Sequence, residues 1–142
     1  MAVFSHATLT WDDPEETIII INYAQHWTWD SYFNGVKWIV EQSTTRNVAI
    51  NVITVNNFGS PSLPRGDFFT RARDLFPKLI KNGCTVTYVR PSPAVRALIA
   101  IFVRLVPSAA KHVSTAASIE EAREWILARR KQLAKDVETT QP

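Results

Sequence analysis

Thr17-Ile18-Ile19-Ile20-Ile21-Asn22-Tyr23 carries four consecutive isoleucines with no polar residue between them. A continuous β-branched run of this length is what a strand covered on both faces requires, so the chain is expected to hold a sheet with helices on it. Just before it, Asp12-Asp13-Pro14-Glu15-Glu16 is a cluster suited to a hairpin turn. Before that turn the pattern alternates, with Phe4, His6, Thr8 and Thr10 on one side and Val3, Ser5, Ala7, Leu9 and Trp11 on the other. Half burial of this kind fits an edge or antiparallel strand over residues 4–11. After the isoleucines, helical periodicity over residues 29–44, 67–81, 93–106 and 119–135 alternates with strand-like runs over 46–55, 84–89 and 111–116. The order ββαβαβαβα predicts one α/β domain over residues 1–136 with a largely parallel, five-stranded sheet, and a fraying polar tail over 137–142.

Composition narrows the function classes. Hydrophobic residues are 46% and charged residues 20% of the chain, as in ordinary globular domains. With 4 glycines, phosphate-cradling loops are scarce, and neither a Walker-type nor a dinucleotide glycine pattern occurs. The net charge of +3 is mild and spread out, which argues against nucleic acid as a partner. The densest basic run, Arg129-Arg130-Lys131, follows Glu120, Glu121 and Glu124 and reads as a solvated helix end. The single cysteine, Cys84, cannot form an intramolecular disulfide and reads as a buried small hydrophobe. Residues 1–10 lack the pattern of a signal peptide, and the longest apolar run, 97–103, is far short of a membrane span. A soluble, cytoplasmic protein with no integral membrane segment is the expectation.

Periodicity also assigns faces. Thr28 is suited to cap the first helix, with Asp30 near its positive end. Trp29, Tyr32, Phe33, Val36, Ile39 and Val40 then share one face, and Trp38, flanked by Lys37 and Glu41, points nearly opposite. Trp38 and Trp27 are therefore the candidates for exposure, while Trp11, Trp29 and Trp125 fit core edges. In the second helix Phe68, Phe69, Ala72, Leu75, Phe76 and Leu79 align, Pro77 is expected to end or kink it, and Lys81-Asn82-Gly83 to close it. Ser118 and Glu121 form a capping box for the last helix, which turns Ile119, Ala122 and Ile126 inward. In the third helix Arg96, Ala100 and Arg104 form a narrow i, i+4, i+8 stripe, and nearly everything else is apolar. One sheet face covers about half a helix, so apolar surface is left over. Leu98, Ile101, Phe102 and Leu105 are assigned to self-association in a homodimer, with coverage by the neighbouring helix or a lipid contact as alternatives.

Ligands of open α/β sheets bind at the carboxyl ends of the strands, here residues 23–26, 56–65, 90–93 and 115–118. Ser60, Ser62, Ser92 and His26 lie there, without a glycine-flanked nucleophile elbow or an acidic partner for the histidine, so no catalytic residue is assigned. His6, His26 and His112 stand at no ligand spacing, and neither a metal nor a cofactor is expected. Arg65 and Arg90 near helix starts are either a weak anion site or solvated side chains. The loop at 56–66 is the longest irregular stretch, and Asn57, Phe58, Ser60, Ser62, Leu63 and Arg65, with Trp38, are the candidate partner-binding residues.

Leu9-Thr10-Trp11-Asp12-Asp13-Pro14-Glu15, Trp27-Thr28-Trp29-Asp30, Ser62-Leu63-Pro64-Arg65-Gly66, Pro93-Ala94-Val95-Arg96-Ala97-Leu98 and Ser118-Ile119-Glu120-Glu121-Ala122 resemble segments of small bacterial proteins in the STAS and anti-sigma-factor-antagonist superfamily. The resemblance covers residues 4–128 and rests on structural motifs, specific for fold and weak for activity. It implies a regulatory protein–protein interaction module without enzymatic activity, which contacts partner kinases through the loop before the second helix. In that family an Asp-Ser-Ser-Gly sequence carries the phosphorylated serine. Aligning its glycine with Gly66 puts Leu63-Pro64-Arg65 in place of Asp-Ser-Ser, so the phospho-acceptor is missing at that register, and Ser60 and Ser62 do not match. The superfamily shares its topology with lipid-binding CRAL-TRIO domains. The alternative expectation is accordingly a carrier of a small apolar ligand, held between the third helix and the sheet with Phe58, Phe68 and Phe69 near its mouth.

Overall fold

The computed structural model describes residues 2–4, 7–24, 27–55 and 66–140. Along the chain come β1 (Ala2–Phe4), β2 (Ala7–Trp11), β3 (Ile18–Tyr23), α1 (Trp29–Arg46), β4 (Asn51–Val55), α2 (Phe68–Lys81), β5 (Thr85–Val89), α3 (Pro93–Leu105), a 3-10 turn (Pro107–Lys111), β6 (Val113–Ala116) and α4 (Ile119–Thr140). The strands form one six-stranded sheet in sequential order, β1-β2-β3-β4-β5-β6. This corrects the expected five-stranded, largely parallel sheet. The segment expected as one strand over 4–11 is two, paired antiparallel with Phe4 opposite Ala7, and β2 pairs antiparallel with β3. From β3 to β6 every pairing is parallel, so the sheet is mixed.

The turn after β2 explains the antiparallel part. The Asp13 carboxylate accepts from the backbone N–H of Thr17 and of Ile18 at 2.8 and 2.7 Å, and Asp12 N–H donates to Ile18 O at 2.7 Å. This short-range closure sends the chain straight back along itself. Beyond β3, each parallel step to the next strand needs a helix, and right-handed crossovers that always advance in the same direction stack their helices on one face. Accordingly α1, α2 and α3 cover one side of the sheet, where Ile19, Ile21, Val52 and Val86 meet Phe33, Phe76 and Phe102. Only α4 covers the other side, where Ile18, Ile53, Val55 and Val89 meet Ala122 and Ile126.

Helix ends follow the local chemistry. Asn47 takes the left-handed conformation at φ 52°, and Val48 N–H returns to Ser43 O at 3.1 Å. At the end of α2, Gly83 N–H reaches Ile80 O and Cys84 N–H reaches Leu79 O, both at 3.0 Å, the paired bonds of a Schellman closure. Pro77, expected to end or kink α2, does not end it: the helix runs on to Lys81, and Pro77 sits on the exposed side, where water can serve the carbonyl it leaves unbonded. The helix α4 continues to Thr140, past the expected start of the tail.

Two surface assignments change. Trp38 is half-buried against the core, with its ring 5.8 Å from that of Trp11 on β2. The run at 129–131 is not merely a solvated end. Arg130 is half-buried and donates to Asn51 Oδ1 from Nη2 at 2.6 Å and to Thr17 Oγ1 at 3.0 Å, and Arg129 lies 5.7 Å over the Trp125 ring. Among the described residues no helix is long and apolar enough to cross a membrane.

Candidate functional site

Three helix starts converge at the carboxyl end of the parallel strands, and each is fixed by a side-chain cap. Thr28 accepts from Ser31 N–H at 3.1 Å while Ser31 Oγ accepts from Thr28 N–H at 3.0 Å. Asp67 accepts from Thr70 N–H at 3.2 Å, and Ser92 from Val95 N–H at 3.3 Å, with Pro93 preset at the first helical position. These caps set the entry angles of α1, α2 and α3, and so the positions of Trp29, Phe68 and Val95 just inside them.

Between these helices and the sheet lies a cavity of about 60 Å³. The sheet contributes Tyr23, Thr54, Tyr88 and Val113 to its wall. Thr54 and Tyr88 stand side by side because β4 and β5 pair in that register. From α3 come Val95, Leu98, Ile99 and Phe102. The rest of the wall is mostly aromatic. Trp27 meets Tyr23 at 5.4 Å between ring centroids and Trp29 edge-on at 5.1 Å. Trp29 meets Phe68 at 5.1 Å, and Phe76 meets Phe102 at 4.9 Å. Flat rings in tilted and edge-on contact bury much area and are individually stable in these geometries.

Among the described residues the polar content of this wall is small and uncharged. The Tyr32 and Tyr88 hydroxyls are 2.9 Å apart and share one hydrogen bond. Burial pushes Tyr23 and Tyr32 well above the ordinary phenol range, with the neighbouring Tyr88 adding to it, and burial also raises Tyr88 although its bond to Tyr32 works the other way. All three therefore stay neutral at physiological pH. None of the described residues lining the cavity is Asp, Glu, Lys, Arg or His. The Trp27 indole N–H is buried without a hydrogen-bond partner among the described residues. Neutral hydroxyls in an aromatic wall equip the hollow to hold an uncharged, largely apolar guest.

The sequence-assigned residues fall in different places. Asn57, Phe58, Ser60, Ser62, Leu63 and Arg65, and also His26, lie outside the described residues. The four residues assigned to self-association separate. Leu98 and Phe102, one helical turn apart, face inward, and Phe102 is only 5% exposed. Ile101 and Leu105, also one turn apart, face outward at 47% and 66% exposure. Phe102 is thus a core residue and not part of an association surface, since Phe68 and Phe76 close over it. Trp27, expected as exposed, is half-buried and lines the cavity. Arg90 is exposed in the left-handed region, φ 46°, and its N–H donates to Ala116 O at 2.8 Å.

Sequence reasoning missed Tyr23, Tyr32 and Tyr88 as site residues. A signal was present: Tyr23 and Tyr88 stand at or next to the carboxyl end of their strands, where the site was expected. Cys84 is buried, as expected, and desolvation raises its thiol. Among the described residues no group of three or more His, Cys, Asp or Glu could hold a metal ion. Comparison with protein-family models, curated proteins and solved structures finds no match to this chain.

Proposed function

We propose that this chain is a STAS-like binding module that carries or senses a small apolar or amphipathic molecule, with no catalytic step of its own. The observation that supports this most is the aromatic cavity at the carboxyl end of β3, β4 and β5. Part of the apolar excess of α3, Leu98 and Phe102, is directed into that hollow instead of toward another subunit. Its size also fits: about 60 Å³ is several times the roughly 10–15 Å³ that a single water needs by this kind of measure, and an apolar void of that kind favours an apolar guest over water. The test is a native mass spectrum of the purified protein and of a Leu98→Trp variant that plugs the hollow. A reproducible small added mass, present in the wild type and lost in the plugged variant, is the expected result. An added mass that survives the plug would place the ligand elsewhere.

A second reading rests on a different observation. Ile101 and Leu105 form an exposed apolar pair on the outer side of α3, which supports contact with a protein partner or a second copy of the chain, in the manner of a regulatory interaction module. In the same spectrum, a dimer of bare mass that reverts to monomer on Leu105→Asp would favour this reading.

A further inference from the structure

Resting on the carrier reading, the chemistry of the cavity wall goes further and points to the class of guest. The Tyr32 and Tyr88 hydroxyls hold two protons and share one hydrogen bond, so whichever one donates, the other keeps a proton with no acceptor in the described structure. Both rings line the hollow, and the other described hydroxyls of its wall, on Tyr23, Thr54 and Ser92, form no hydrogen bond with either of them. A buried donor left without a partner is costly, and a ligand oxygen that accepts from it removes the cost. No cation lines the cavity among the described residues, so a carboxylate or phosphate brought into it would be desolvated without a counter-charge. The ring surfaces of Trp29, Phe68 and Phe102 favour a flat guest that can stack or meet them edge-on.

We infer that the cavity is selective for an uncharged, ring-containing molecule bearing a carbonyl or ether oxygen, which accepts the spare proton of the Tyr32–Tyr88 pair.

The test uses fluorine-labelled single-ring probes of matched shape, read by 19F NMR titration: 4-fluoroacetophenone, 4-fluoroethylbenzene and 4-fluorobenzoate. Each is titrated into the full chain and into the Tyr32→Phe/Tyr88→Phe double variant, which keeps both rings and removes both hydroxyls, leaving no orphaned partner. The ratio of ketone to hydrocarbon affinity is expected to fall about tenfold in the double variant, the effect of one neutral hydrogen bond. At neutral pH the carboxylate is expected not to bind the wild-type protein. A ratio that does not change overturns the acceptor assignment while leaving the carrier reading intact. A carboxylate that binds as tightly as the ketone overturns the claim of neutrality. If none of the three probes binds the wild-type chain, the carrier reading falls as well.

Discussion

On the α4 side of the sheet, Ile18, Ile53, Val55 and Val89 meet Ala122 and Ile126, and both Ile53 and Ile126 are fully buried. Branched aliphatic side chains interdigitate there, and the lower margin is sealed by polar groups. Arg130 donates to Asn51 Oδ1 and Thr17 Oγ1, and Asn51 Nδ2 donates to Thr85 Oγ1 at 2.6 Å. Arg123 grips Asp12 with two bonds of 2.7 and 2.8 Å. On the α1–α3 side aliphatic side chains cover most of the sheet too, but at the carboxyl end of the strands the contacts pass to rings, and a cavity remains there. The difference teaches where a fold of this kind has room for a guest. Aliphatic packing under a single helix closes on itself here, whereas the rings brought together by three helix starts leave a space between them.

Paired truncations give the largest expected effect. Ile126→Ala, at a fully buried site, should destabilise the protein by about 2–5 kcal/mol, whereas Leu98→Ala should cost less than about 2 kcal/mol because it widens a space already open. Urea unfolding of both variants checks this, and equal costs would mean that the two sides are filled alike. Next comes the seal. Arg130→Met should cost about 1–3 kcal/mol, since it leaves the buried Asn51 Oδ1 without its donor, and Arg130→Lys should restore only part of it because a point charge cannot make the same pair of bonds.

The smallest effect is in the pH profile, and the two regions should differ in sign. Burial alone would raise the Asp13 carboxyl, but hydrogen bonds from Thr17 and Ile18, with the charge of Arg130, outweigh it and hold the group below its ordinary value. Its contribution is therefore present above the unfolded value of about 3.9 and lost as pH falls through the folded one. The buried tyrosines are raised, so their contribution is complete below about 10 and lost as pH climbs toward the folded values. Melting temperatures across pH should thus show an acid loss that Asp13→Asn flattens and an alkaline loss that Tyr32→Phe/Tyr88→Phe reduces. An acid loss unchanged by Asp13→Asn would show that the turn does not set the acid limit.

Much of the fold was legible because its signals are local. The isoleucine run, the caps at Thr28 and Ser118 and the closing Asn82-Gly83 each act within a few residues, and each reads correctly from the chain alone. The splitting of residues 4–11 into two strands was not legible, since alternation continues across the break and the pairing that divides it is between strands. For the site, sequence placed it at the carboxyl edge and named α3, but it grouped Leu98 and Phe102 with Ile101 and Leu105. A helix that is apolar nearly all round carries no signal for which side is covered, and that depends on where Phe68 and Phe76 arrive from α2.

By itself the sequence determined the α/β class, the alternation of helices and strands after the isoleucine run and the burial of Cys84. These follow from side-chain chemistry and periodicity within one segment. Only the tertiary structure decided that the sheet is mixed, that α4 stands alone on its side, and that Tyr32 and Tyr88, 56 positions apart in the chain, meet at 2.9 Å in the wall of a cavity. A void and a shared proton are properties of surfaces brought together from distant segments, and no single segment specifies them.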